Sequence, residues 1–167
     1  GRFTVFDNNL YFQAGDDTDA IELWSSDGTL AGTSKVKDIN PSGGSDPFEL
    51  TVFNNTLYFN ANDGTNGREL WSSDGTSGGT SMVKDINPSG SSSPLALTVY
   101  NNKLYFRADD GTDGSELWSS DGTSGGTSMV KDINPSGHSN PGSFTVYDNK
   151  LYFQANDGMN GQELWSS

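Results

Sequence analysis

ELWSSDGTSGGTSMVKDINPSG, residues 69–90, returns without a change at 116–137, and shorter relatives begin at Glu22 and Glu163. The ELW triplets start at 22, 69, 116 and 163, and the F/L-T-V phrase at 3, 50, 97 and 144, a constant step of 47 residues. A period between about 20 and 50 residues marks an array of like units, which settles the class of fold before any single motif is weighed. The half-unit from T-V to E-L-W occurs four times and the half from D-G-T to N-P-S-G three times, so the chain holds about three and a half repeats. The units divide approximately at 1–47, 48–94, 95–141 and 142–167, within a single domain spanning 1–167.

Each unit reads as strand and turn throughout. Thr51-Val52-Phe53 forms a first strand, Asn54-Asn55 a tight turn, Leu57–Ala61 a second strand and Glu69–Ser73 a third. Asn suits such turns because it tolerates the left-handed backbone conformation. The D-G-T loop then leads to a fourth strand, Ser81–Ile86, and the proline and Gly/Ser-rich stretch NPSGSSSP carries the chain onward. No apolar period of 3.6 residues occurs, and 21 glycines would be costly in helices. In the second strand Leu57 and Phe59 point one way and Tyr58 the other, while Val52 opposes Thr51 and Phe53 in the first. A sheet with apolar bulk on both faces must be covered on both sides. The expectation is therefore an all-β propeller of four-stranded antiparallel blades, the last blade lacking its fourth strand. A two-layer sandwich ranks second, because it leaves one polar face per sheet, and a β-solenoid third.

The wording ELWxxDGT, continued as xxGTxxVxDIxP, resembles the ELWxxDGT repeat of bacterial, often exported, multidomain proteins. The match covers Glu22–Pro41, Glu69–Pro88 and Glu116–Pro135, and the fourth copy stops at Ser167 before its DGT. The resemblance implies a kelch-like or quinoprotein-like propeller at the cell surface or outside the cell. It implies no catalytic role.

Twenty-two acidic residues against nine basic ones give a formal charge of −13. That balance excludes a nucleic-acid partner, which needs clustered Lys and Arg, and an anionic membrane surface. It suits a self-repelling surface or a cation ligand. Without cysteine there is neither disulfide nor thiolate chemistry, and no apolar run approaches the roughly 20 residues of a spanning helix. The chain opens on no signal-peptide pattern, as expected of a mature or trimmed form.

The nearest approach to a metal loop is Asp109, Asp110, Asp113 and Glu116, where alternating carboxylates around a glycine are the pattern of a calcium loop. Gly111 stands where a ligand belongs, and the other copies carry Asn62, Asn66 and Glu69, or Asn156, Asn160 and Glu163, or Gly15, Asp19 and Glu22. The Asp kept in every copy (Asp16, Asp63, Asp110, Asp157) reads as a turn that bonds its own backbone. Asp27, Asp74 and Asp121 of DGT read as hairpin-turn residues. Trp24, Trp71, Trp118 and Trp165 read as core rather than sugar-stacking platforms. Glu69 and Lys84 read as a cross-strand pair. His138 is the single histidine, at the position of Gly44 and Ser91, and no triad, metal cluster or phosphate loop can be built around it.

Near-identical units offer the same residues everywhere, whereas an active site needs distinct residues in distinct roles. Repetition suits weak multivalent binding. The expected function is thus a non-enzymatic scaffold or multivalent binding module for a glycan or protein ligand, with no cofactor. The alternative is a lectin with repeated rim-loop sites, with calcium as its one candidate ion, and a polysaccharide-active enzyme ranks below it. Four units with two uncovered end faces also predict a homodimer that completes an eight-bladed ring.

Overall fold

The computed structural model describes residues 3–15 and 20–167. The expected Asp16 and Asp19 lie outside them, as do Gly1 and Arg2. Among the described residues, fifteen strands make four antiparallel sheets, each in sequence order. Sheet I holds β1 (Thr4–Phe6), β2 (Asn9–Gly15), β3 (Ile21–Ser26) and β4 (Ser34–Lys37). Sheet II holds β5 (Phe48–Phe53), β6 (Thr56–Asn62), β7 (Arg68–Ser73) and β8 (Ser81–Lys84). Sheet III holds β9 (Leu95–Tyr100), β10 (Lys103–Asp109), β11 (Ser115–Ser120) and β12 (Ser128–Lys131). Sheet IV has three strands, β13 (Gly142–Tyr147), β14 (Lys150–Asn156) and β15 (Gln162–Ser166).

Two-residue turns set the register of the first hairpin in each sheet. Asn54 and Asn55 take φ of 47° and 56°, Asn101 and Asn102 45° and 56°, and the Asp7-Asn8 and Asp148-Asn149 pairs do likewise. Both central residues in the left-handed region is the condition for a turn whose twist matches the flanking strands. Phe53 thereby faces Thr56, and Thr51 faces Tyr58. The first strand starts earlier than the T-V phrase suggests, at Phe48, and a register shift around Glu49, itself at φ 61°, lets it bend.

The first strands of successive sheets are neighbours, β1 with β5, β5 with β9, and β9 with β13, so the sheets radiate from a shared inner edge. Thr4 Oγ1 donates across that edge to the Leu50 carbonyl at 3.2 Å. Three apolar clusters lie between consecutive sheets. Phe6, Tyr11, Leu23 and Ile39 of sheet I pack on Leu57, Phe59, Ala61 and Trp71 of sheet II. Phe53, Tyr58, Leu70 and Ile86 pack on Leu104, Phe106, Ala108 and Trp118. Leu117 and Ile133 pack on Leu151, Phe153 and Ala155. Every sheet therefore has a leading face (Tyr of the second strand, Leu of ELW) and a trailing face (Leu, Phe and Ala of the second strand, Trp of ELW). The fold is all-β and propeller-like.

Polar ties reinforce each stack. Lys37 Nζ donates to the Thr80 carbonyl at 2.6 Å and Lys84 Nζ to the Thr127 carbonyl at 2.8 Å, each crossing to the following sheet. Lys84 also lies over the Trp118 ring, 5.9 Å from its centroid, and Lys131 over Trp165 at 5.3 Å.

Candidate functional site

The carboxylate of the ELW phrase does not meet Lys84. Glu22, Glu69 and Glu116 are fully buried, and each accepts hydrogen bonds from the linker that follows its own sheet. Glu69 takes the N–H groups of Ile86 and Ser92, both at 2.9 Å, together with the Ser92 hydroxyl. Glu116 takes the N–H of Ile133 and of Ser139, both at 2.8 Å, and the Ser139 hydroxyl. Glu22 does the same with Ile39, Asn40 and Ser45. Burial pushes the Glu69 carboxyl above its ordinary range, and the bonds from Ser92 and Ile86 pull the other way. The expected cross-strand pair fails because β7 and β8 carry a bulge: Trp71 faces Met82, and Leu70 rather than Glu69 faces Lys84.

The linker so held joins two sheets at one rim. Ser93 N donates to the Arg68 carbonyl at 3.0 Å in its own sheet, and Asp109 N donates to the Ser92 carbonyl at 2.9 Å in the next. Asn140 and Asn156 repeat this with Ser115 and Ser139. The Asn of each N-P-S-G phrase closes the turn: Asn134 Oδ1 accepts the Ser136 N–H, and its Nδ2 donates to the His138 carbonyl. In the sequence this Asn is marked only by the N-P pair, a turn signal within the linker.

The D-G-T loops are longer than a two-residue hairpin turn. In residues 74–80, Asp74 Oδ1 accepts the Thr76 N–H at 2.8 Å and the Thr76 hydroxyl at 2.7 Å, and Thr80 donates back to the Thr76 carbonyl. These bonds, the hydroxyl first, hold the Asp74 carboxyl below its ordinary range, and Thr29 and Thr123 do the same for Asp27 and Asp121. A side chain at Gly79 would overlap the Asp74 carboxylate. Gly75 and Gly122, at φ 93° and 99°, sit under the hydroxyls of Tyr11 and Tyr58 from the preceding sheet.

Of the expected calcium loop, Asp109, Asp110 and Glu116 all accept from backbone N–H groups. Asp109 Oδ1 accepts the Gly111 N–H at 2.7 Å, Asp110 Oδ1 accepts the N–H groups of Thr112 and Asp113 at 2.9 Å, and Glu116 is buried against the linker amides. Among the described residues no three His, Asp or Glu side chains gather to hold a metal ion. Asp109 and Asp110 serve backbone donors within their own loop, as the Asx-turn reading expects. Trp71, Trp118 and Trp165 lie in the sheet-to-sheet interfaces, the first two buried and the third half-buried, whereas Trp24 is half-buried on the trailing face of sheet I, outside the three clusters.

What the loops do border is an open polar cavity at the rim of sheet III, about 480 Å³ in volume, lined by Asn87, Asp109, Thr112, Asp113, Pro135 and His138. His138 borders it and is more than half exposed. Its Nδ1 accepts the Ser115 N–H at 2.8 Å, the service that Ser91 Oγ performs for Arg68 N at 3.0 Å one unit earlier. The lone pair that accepts this bond leaves the proton of a neutral ring on Nε2. Asp109 Oδ2 lies 3.6 Å from Nδ1.

No protein-family model matches the chain, and no curated protein does. Solved structures do. A puromycin hydrolase superposes with a TM-score of 0.63 at 14% identity, over 95% of this chain and 25% of that one. A prolyl endopeptidase follows with a TM-score of 0.55 at 12% identity, over 96% of this chain and 25% of that one. The chain thus spans about a quarter of the length of these two structures. The likeness is one of fold.

Proposed function

We propose that this chain is a non-catalytic repeat module of the ELWxxDGT kind, a propeller section that binds or displays through its rim. The observation that carries this reading is the fate of the repeated carboxylate. The same Glu in sheets I to III is buried and tied to backbone amides, so it is withdrawn from any reacting group. The aspartates of the loops accept from their own backbones, and the lysines reach across to the next sheet. Chemistry-bearing side chains are thus spent on construction in much the same way in sheets I to III. Differences between units collect in the linkers and loops of the rim, where Gly44, Ser91 and His138 share one position. That is the surface on which ligand preference would be written, and repetition around an axis would turn weak contacts into avidity. An exported or cell-surface location accords with the resemblance of the ELWxxDGT phrases.

Glycan-array and cell-wall polymer binding tests this reading, run beside fluorogenic glycoside and peptide panels. The module should bind without turning anything over. Turnover of any substrate that is abolished by His138→Ala or Asp113→Asn would refute it. A sugar ligand is the sharper version, favoured by the polar lining of the rim cavity. In that case the same two substitutions should weaken glycan retention, and a chelator should leave it unchanged.

A further inference from the structure

We propose that a hollow beside Arg107 takes the carboxylate of an acidic sugar, an inference that rests on the rim-binding reading above and names its ligand class. The hollow is about 280 Å³ in volume, and Ser93, Leu95, Arg107, Ser115 and Asn140 line it. It shares Asp109 and His138 with the larger rim cavity, so the two lie side by side. Arg107 is half-buried on β10 and makes no hydrogen bond, ion pair or ring contact among the described residues. Two residues that break the repeat meet here. Arg107 stands where the other units have Gln13, Asn60 and Gln154, and His138 where they have Gly44 and Ser91.

The same place one unit earlier shows what such a guanidinium pairs with. Positions 46, 60 and 68 of that unit correspond to 93, 107 and 115 here. In sheet II the cation is Arg68. Its Nη2 donates to the Asp46 carboxylate at 3.0 Å, and its Nη1 to the Asp46 carbonyl at 3.1 Å and to Asn60 Oδ1 at 3.4 Å. Arg68 therefore occupies its own hollow, and the linker supplies the counter-ion. Sheet III carries the cation on its second strand instead of its third, and has Ser93 in place of Asp46. The guanidinium is kept and its internal carboxylate is absent. Backbone demand does not account for the serine. Ser93 sits at φ 49°, a region that favours Asp and Asn, and Asp46 and Asn140 hold the same position at 45° and 47°. A ligand carboxylate placed as the Asp46 side chain is in sheet II restores the pair, and the planar guanidinium suits that anion in two-point contact.

The groups around Arg107 fit a hydroxylated body attached to that carboxylate. The hydroxyls of Ser93 and Ser115 and the side-chain amide of Asn140 make no hydrogen bond among the described residues. Asp109 adds an acceptor, since only its Oδ1 is taken by the Gly111 N–H, and Leu95 adds an apolar wall. Mixed donors and acceptors of this kind match ring hydroxyls, each of which both gives and takes a hydrogen bond. The net charge of −13 disfavours a polyanion, so the carboxylate comes singly, as one uronic acid among neutral sugars.

NMR titration of the isotope-labelled intact chain tests the proposal, with glucuronate as the probe and glucose, acetate, sulfate and N-acetylglutamate amide as controls. Glucuronate should shift the Arg107 Nε–H and the backbone N–H groups of Ser115 and Asn140. Acetate and N-acetylglutamate amide should bind at least tenfold more weakly, and glucose and sulfate should leave Arg107 unmoved. Arg107→Gln copies positions 13 and 154, and Ser93→Asp supplies the internal counter-ion. Each should weaken glucuronate at least tenfold with unchanged circular dichroism. Ser93→Asp keeps the cation, so its effect separates an open pairing site from the mere presence of positive charge. Glucuronate that leaves Arg107 unmoved, a control other than glucose that binds as tightly as glucuronate, or binding that survives either substitution would each overturn the proposal. In that event, glucose shifts at Thr112 and Asp113 would show that the rim binds sugar without this site. No shift from any sugar would remove the sugar reading as well.

Discussion

Glu69 and Glu163 stand at the same place in the repeat and have opposite surroundings. The first is buried under its linker, and the second is exposed on β15. Glu69→Ala leaves two backbone N–H groups and a serine hydroxyl without their acceptor, and each unpaired buried donor costs about 1–3 kcal/mol. The expected loss is about 3 kcal/mol in urea unfolding, because solvent relaxes part of that penalty, whereas Glu163→Ala should change stability by less than about 0.5 kcal/mol. Equal effects at the two positions would contradict the assigned role.

Acid should unfold the chain through its turns. Asp27, Asp74 and Asp121 are held below the ordinary carboxylate range in the folded state by bonds from the threonine two residues on. A group whose folded value is depressed contributes stability that is present above its unfolded value, near 3.9, and is lost as pH falls through the folded one. Glu69 is shifted upward, so its own contribution runs the other way and favours the fold as the carboxyl takes up its proton. The urea midpoint should therefore hold near neutral pH and drop below about pH 4. Asn at all three turn positions should flatten that drop.

Elements show most clearly what could be read from residues alone. The Asn pairs were legible because a tight turn makes a local demand on φ that Asn meets, and the two-faced second strand was legible because alternation has a period of two. The partners of Glu69 were not legible, since its donors lie 17 and 23 residues away and a regular ladder would have set it opposite Lys84. One bulge between Leu70 and Trp71 removes that pairing. The surroundings of the carboxylates at 109–116 were hidden for a related reason. Spacing alone does not reveal that Asp110 is bonded to its own loop and Glu116 to a linker.

The same ties give two predictions for the joint between sheets II and III. Gly122→Ala forces a side chain into φ 99° beneath the Tyr58 hydroxyl, and should cost about 2 kcal/mol. Paired with Tyr58→Phe it should cost measurably less, so a double-mutant cycle should give a coupling of at least about 0.5 kcal/mol. Lys84→Met removes a charged donor to the Thr127 carbonyl and a cation over Trp118, and should cost about 1–2 kcal/mol. Purely additive effects in the cycle would show that the tyrosine and the glycine are not in contact.

At the scale of the whole molecule, one physical proposition organises everything else. Each sheet is apolar on both faces, and stacking around a shared inner edge keeps both faces dry. Unit number, strand order and the residues of the two faces followed from the period and from alternation. The polar cavity at the rim did not, because it forms between a loop and a linker that are distant in sequence and meet only when sheets stack. The likeness to stretches of two much longer hydrolases lies at this same scale and reports the stacking alone.

The most direct measurement is an alanine series at one repeated position: Leu23, Leu70, Leu117 and Leu164, each followed by urea unfolding at a concentration low enough to keep single chains. If the sheets stack face to face, the first three should each lose about 2–5 kcal/mol, the range for a buried leucine cut back to alanine. Leu164→Ala should lose less than about 1 kcal/mol, as expected of a surface position. Four losses of similar size, or small losses at Leu23, Leu70 and Leu117, would contradict the stacked arrangement.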